Sequence, residues 1–188
     1  MPLIIIVGNM GHGKTLYLTY ECIKYRQKGY HIYTNYKLNS KLINYTLLER
    51  PKDLLKVDPD ELNFVALDEV YLWFDSYEGS NKARQLQRNL INVSRKMNMV
   101  IYATTQTKGQ INLRYRLLLN FVMRPWYYSR KDILLVKKYW VITDEHRGSK
   151  DERKVITTLI KNASRIFKYY QTGEVLQDFK EQKSILED

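Results

Sequence analysis

An α/β fold around a mostly parallel sheet is what this sequence predicts, and three observations carry that reading. An apolar run, Leu3–Val7, breaks at Gly8 and leads through a glycine-rich loop into an amphipathic stretch. A second run, Asn63–Leu67, stops abruptly at Asp68-Glu69. A third, Met99–Ala103, leads into Thr104-Thr105-Gln106. Strands buried on both faces of a parallel sheet read as continuous apolar runs, and helical patterns fall between these three.

The loop is the most informative stretch. Gly8-Asn9-Met10-Gly11-His12-Gly13-Lys14-Thr15 has the spacing G-x-x-x-x-G-K-[ST]. Its backbone N–H groups would wrap a β-phosphate, and a helix opening near Lys14 would aim its positive end at the same anion. Lys14 would reach the β/γ-phosphates of ATP, and the Thr15 hydroxyl would ligate Mg²⁺. The expected nucleotide-binding stretch runs from Gly8 through Leu16. His12 reads as an exposed filler whose backbone matters more than its ring. A glycine-rich turn without a ligand is the alternative, and the strand–loop–helix context argues against it.

The helical pattern continues through Leu16, Tyr20, Ile23 and Gln27, and Gly29 supplies a left-handed stop. Tyr30–Thr34 reads as the second strand, ended by Asn35, with His31 a packed strand histidine rather than a catalytic base. Residues 36–63 form a connection with a short helical piece around Leu47–Leu55, bounded by Pro51 and the turn Asp58-Pro59-Asp60. Asp68, leaving a central strand, is placed to hold the Mg²⁺, directly or through water, and Glu69 to polarise an attacking water. An acidic helix cap is the plain alternative, and the pairing with the phosphate-binding loop outweighs it.

Residues 81–97 read as a helix with Leu86, Leu90, Val93 and Met97 on one face and Arg84, Arg88 and Arg95 opposite. Such an arginine stripe faces solvent or, in a ring, a neighbour's phosphate as an arginine finger. Gln106, just past its strand, is suited to sense the γ-phosphate and the attacking water, since an amide both donates and accepts. Thr104 and Thr105 are weaker candidates for that role. Ile111–Asn120 reads as a short helix carrying Arg114 and Arg116, two further arginine-finger candidates. Phe121–Tyr128 and Ile133–Thr143 read as strands around the turn Ser129–Asp132. A polar loop, Asp144–Asp151 with Gly148, precedes strand candidates Val155–Ile160 and Ile166–Tyr170. Together these form an antiparallel β extension on the C-terminal side.

Composition narrows the classes. Of 188 residues, 44% are apolar, enough for a sizeable core, so disorder is not the default. The single Cys22 excludes an internal disulfide and points to a reduced, cytoplasmic setting. Nothing resembles a signal peptide, and no stretch approaches the ~20 apolar residues of a transmembrane segment. The reading is one domain, 1–170, with a nucleotide core (1–107) and a basic β extension (108–170), followed by a polar tail, 171–188. The net charge is +11, and it is unevenly spread: residues 108–168 hold 15 Lys/Arg against 5 Asp/Glu, whereas 1–107 hold 14 against 10. Trp126, Tyr127, Tyr128, Tyr139 and Trp140 are interleaved with those charges, as on a surface that faces nucleic acid. A solvated basic face is the alternative.

Gly8–Leu16, Tyr33-Thr34-Asn35, Leu67-Asp68-Glu69 and Thr105-Gln106 together resemble the FtsK/HerA superfamily of P-loop ATPases. Within it the chain is similar to the zonular occludens toxin-like (Zot) family, and Phe167–Glu174 resembles the aromatic-rich end of the Zot-like domain. The resemblance spans roughly residues 3–174. It implies a P-loop NTPase fold of the additional-strand, catalytic-glutamate type, with strands in the order 5-1-4-3-2 counted along the chain. It also implies a homo-oligomeric ring that hydrolyses ATP with Mg²⁺, using Lys14, Glu69 and Gln106. Zot-like proteins continue into a membrane segment and an exported region that are not seen here. The expectation is therefore a motor that moves nucleic acid, double-stranded DNA, in viral or plasmid packaging or transfer, inside a host cell if virus-encoded. A Zot-like virion-assembly ATPase and a small-molecule P-loop kinase are alternatives. A third is a scaffold that uses ATP only as a switch. No Asn-Lys-x-Asp base-reading motif supports a GTPase.

Overall fold

The structure is a computed structural model that describes residues 3–71, 98–107, 119–143 and 150–170. Its strands are β1 (Leu3–Val7), β2 (His31–Thr34), β3 (Thr46–Leu47), β4 (Asn63–Leu67), β5 (Met99–Thr105), β6 (Leu119–Tyr128), β7 (Ile133–Thr143) and β8 (Lys150–Lys161). The α-helix α1 spans Lys14–Gln27. All eight strands form one sheet in the order β3-β2-β4-β5-β1-β6-β7-β8. Pairing is parallel from β3 through β6 and antiparallel in β6-β7-β8. The expected order 5-1-4-3-2 is found as β6-β1-β5-β4-β2. The small strand β3 lies beyond one end of that run, and the β7–β8 hairpin beyond the other.

β1 explains why its sequence is apolar at every position. Ile4 and Ile6 face α1, with Leu16, Leu18, Cys22, Phe64 and Tyr102 around them, while Ile5 faces the opposite layer with Val65, Leu67, Ile101 and Val122. Both faces are closed, so alternation is absent. α1 begins at Gly13 (φ 84°) and is followed by Gly29 (φ 86°), as the left-handed stop requires. No helix among the described residues is long and apolar enough to cross a membrane.

Three local readings change. The piece expected to be helical around Leu47–Leu55 is instead β3 followed by a 3₁₀ segment, Pro51–Lys56. Pro51 suits its first position, and the Asp53 carboxylate accepts the Arg50 N–H at 2.9 Å, which stops the turn from propagating backwards. Leu119 and Asn120, read as the end of a helix, begin β6. Ile166–Tyr170, read as a strand, lies in a 3₁₀ segment, Ala163–Tyr169, with Tyr170 making an isolated bridge to Leu38. Asn162 turns left-handed (φ 53°) and ends β8, and the Asp132 carboxylate captures the Ser164 N–H and hydroxyl, both at 2.7 Å. Ala163 and Ile166 are thereby buried in the α1-side core, and this packing overrides the strand preference of the sequence. The expected helix 81–97, most of 111–120, the loop segment 144–149 and the tail lie outside the described residues.

Candidate nucleotide site

The loop Gly8–Gly13 leaves β1 at the carboxyl edge of the sheet, where open α/β sheets bind ligands. The Gly8 N–H donates to the Thr105 carbonyl at 3.4 Å, and the His12 N–H to the Asn9 carbonyl at 3.2 Å. Gly11 and Gly13 have φ of 79° and 84°, backbone that a β-carbon would strain. At Gly13 a β-carbon would also come within 3.1 Å of both Tyr127 Cβ and Leu134 Cδ1. Asn9, Met10 and Gly11 are exposed, so the crest of the loop is open to a ligand. Leu16 is buried in the core, which restricts its contribution here to its backbone.

Lys14 is 6% exposed. Its ammonium lies 3.4 Å from the Asn9 carbonyl and 3.3 Å from Glu69 Oε1. The Thr15 hydroxyl donates to Asp68 Oδ2 at 2.8 Å, joining the first helical turn to the tip of β4. The Thr104 hydroxyl donates to Asp68 Oδ1 at 2.5 Å and accepts the Glu69 N–H at 2.8 Å. Asn35, at the tip of β2, grips the backbone of Asp68 from the other side: its Oδ1 accepts the Asp68 N–H at 2.7 Å and its Nδ2 donates to the Asp68 carbonyl at 2.8 Å. Asp68 is thus held by side chains from α1, β5 and the end of β2.

Burial pushes both acidic groups up from their ordinary carboxylate values. At Asp68 the hydroxyls of Thr104 and Thr15 and the charge of Lys14 pull the other way. At Glu69 the Lys14 charge opposes the burial. Glu69 sits in the left-handed region (φ 42°), an uncommon conformation for a side-chain-bearing residue that turns its carboxylate toward Lys14. Gln106 is half-buried just past β5, and its amide donates to the Tyr71 hydroxyl at 3.4 Å.

The structure therefore brings together Lys14, Thr15, Asp68 and Glu69 as a contiguous group. Arg84, Arg88, Arg95, Arg114 and Arg116 lie outside the described residues. His12 departs from its expected role: its ring is half-buried, 4.0 Å from the Trp126 ring. His31 is engaged with Thr46 (2.9 Å) and Glu61 (3.5 Å) across its strand, none of them part of this group. The Asn35 clamp and the double role of Thr104 escaped the sequence reading. The available signal was a polar residue at the tip of each strand flanking Asp68.

No family model and no curated protein matches the chain. Solved structures do resemble it. The N-terminal domain of zonular occludens toxin from Neisseria meningitidis superposes with a TM-score of 0.55 at 17% identity, over 90% of this chain and 98% of that one. A second solved ATPase domain gives 0.57 at 10% identity, over 90% and 84%. The flagellar accessory protein FlaH from Methanocaldococcus jannaschii gives 0.52 at 13%, over 85% and 84%. The fold is that of the P-loop NTPases.

Proposed function

We propose that this chain is a Mg²⁺-dependent ATPase of the FtsK/HerA type that works on double-stranded DNA as a homo-oligomeric ring. The observation that carries the hydrolytic reading is the junction of the glycine loop with Lys14, Thr15, Asp68 and Glu69 at hydrogen-bonding distances. The donor set fits the metal. Mg²⁺ prefers hard oxygen ligands, and the Thr15 hydroxyl and Asp68 carboxylate adjoin at 2.8 Å beside the loop that would hold the phosphates. When bound, the ion neutralises phosphate charge and orients the triphosphate.

The chain's own groups have distinct tasks. Loop N–H groups and Lys14 hold the β/γ-phosphates. Because Lys14 also pairs with Glu69, a phosphate that attracts the ammonium releases the carboxylate to accept a proton from water. Its burial-raised proton affinity makes Glu69 a better base than an exposed carboxylate. Gln106 orients the attacking water and senses the γ-phosphate. An arginine from a neighbouring subunit, among Arg84, Arg88, Arg95, Arg114 and Arg116, completes charge stabilisation.

The DNA reading rests on the basic excess of residues 108–168 and on the exposure of Arg130, Lys131, Lys137, Arg153, Lys154 and Lys161 along the β6-β7-β8 extension. Lys138 and Arg124 are engaged locally, over the rings of Phe121 and Tyr139. The deciding experiment measures ATPase rate with double-stranded DNA, single-stranded DNA or neither, across protein concentration. Stimulation by duplex DNA and a specific activity that climbs with protein concentration are expected. Glu69→Gln should bind ATP yet lose roughly 10²–10⁴ in turnover, and neutralising Arg130, Lys131 and Lys137 should flatten the salt dependence of DNA binding by about one unit per lost phosphate contact. Wild-type turnover in Glu69→Gln refutes the site assignment. A rate indifferent to DNA at every concentration favours the second reading, a Zot-like assembly ATPase, for which Tyr33-Thr34-Asn35 and Phe167–Glu174 are the sequence support.

A further inference from the structure

We propose that Trp126, flanked by Tyr128, is the platform on which the nucleobase of the bound triphosphate stacks. The inference rests on the nucleotide reading above and adds where the base goes and how it is recognised. The strand order fixes the direction. Glu69 and Gln106 lie at the tips of β4 and β5, on one side of β1, whereas β6 is the neighbour of β1 on the other side. A triphosphate whose γ end meets Lys14 and Glu69 must send its nucleoside end away from them, over the tip of β6.

That tip is pressed against the loop. A β-carbon on Gly13 would touch Tyr127 at 3.1 Å, and the His12 ring packs on the Trp126 indole at 4.0 Å between centroids, tilted by 47°. Trp126 and Tyr128 alternate with Tyr127 along the strand and share the other face, their rings 6.3 Å apart. Both remain conspicuously exposed for aromatic side chains beside a core, at 46% and 45%. An indole face held in place by one ring and open to solvent suits a flat π-system. A base stacked there is recognised by area and polarisability rather than by a hydrogen-bonding edge. Purine nucleotides should therefore be preferred to pyrimidine ones, with little distinction between ATP and GTP.

Calorimetric titration with ATP, GTP, CTP and inorganic tripolyphosphate, each with Mg²⁺, tests this on wild type, Trp126→Ala, Trp126→Phe and Lys14→Ala. Trp126→Ala should weaken ATP and GTP by about 10- to 100-fold, leave tripolyphosphate unchanged, and be largely rescued by Trp126→Phe. A reporter with Trp73→Phe and Trp140→Phe leaves Trp126 as the sole indole of the three. Its fluorescence should be quenched by ATP and not by tripolyphosphate. Equal loss of ATP and tripolyphosphate in Trp126→Ala, or unchanged ATP affinity, overturns the platform. So does a Trp126 emission blind to ATP, or a Trp126→Ala effect confined to DNA. If Lys14→Ala leaves both ATP and tripolyphosphate affinity at wild-type values, the nucleotide reading itself falls, and the platform with it.

Discussion

Replacing Asn35 with alanine removes two hydrogen bonds at once and leaves every group with a proposed chemical role in place. Asp68 loses the acceptor of its N–H (2.7 Å) and the donor to its carbonyl (2.8 Å). A part-buried backbone group stripped of its partner costs about 1–3 kcal/mol, and water admitted by the smaller side chain recovers some of that. The two together should destabilise the fold by about 2 kcal/mol. For a chain of this size that corresponds to roughly 4–8 °C in Tm. A second effect follows from geometry. With its backbone released on the β2 side, Asp68 is held only through its carboxylate by Thr15 and Thr104, so the Glu69 peptide that follows loses its fixed setting. Turnover should fall further than nucleotide affinity, since the phosphate loop itself is untouched. Denaturant titration gives the stability change as a midpoint shift at constant slope, and steady-state kinetics give kcat and KM separately. A stability change below about 0.5 kcal/mol together with wild-type kcat would refute the view that Asn35 sets the position of Asp68.

Two further outcomes can be checked directly. Because burial raises the proton affinity of Asp68, its ionised form costs folding free energy: the protein is favoured below the ordinary carboxylate value, and that advantage is lost as pH rises through the raised one. Asp68→Asn should therefore stabilise the nucleotide-free protein at pH 8 by about 1 kcal/mol and lessen the decline in stability between pH 5 and pH 8, while abolishing Mg²⁺-dependent hydrolysis; a variant less stable than wild type at pH 8 would contradict this. Cys22 is fully buried beside the Tyr36 hydroxyl, and burial pushes its thiol up to about 12. It should resist thiol reagents at pH 8 until the protein is unfolded by denaturant, and rapid stoichiometric labelling of native protein would show that α1 opens easily.

The parts of this molecule that were legible in its sequence are those where chemistry dictates spacing. A phosphate cradle needs glycines and a lysine within a few positions, so Gly8–Thr15 is readable locally, and Asp68-Glu69 is readable because an acidic pair ends a fully apolar strand. The strand order followed from the resemblance that those motifs support. What escaped depends on contacts between distant residues. Asn35 meets Asp68 across 33 positions, and Thr104 meets it across 36. In one dimension each is only a polar residue leaving a strand. Ile166–Tyr170 carries strand-forming side chains, but its backbone conformation is decided by Asp132, a residue 32 positions before Ser164. His12 looked incidental until its ring was seen against Trp126, on a strand whose place beside β1 no local pattern announces.

The placement of β1 has a consequence for how the protein is made. Leu3 pairs with Ile101 on one side and with Leu119 on the other, so the strand that feeds the phosphate loop is a central one, completed by chain synthesised about a hundred residues later. At roughly 5–20 residues per second, a ribosome spends on the order of ten seconds between producing β1 and producing both of its neighbours. During that interval Leu-Ile-Ile-Ile-Val is an unpaired, uncharged, strand-forming segment, the kind most prone to pairing with another chain. Its correct closure waits on a long-range loop whose entropic cost slows folding. The site is thus written first and assembled last, and its yield in the cell depends on shielding β1 until β5 and β6 arrive.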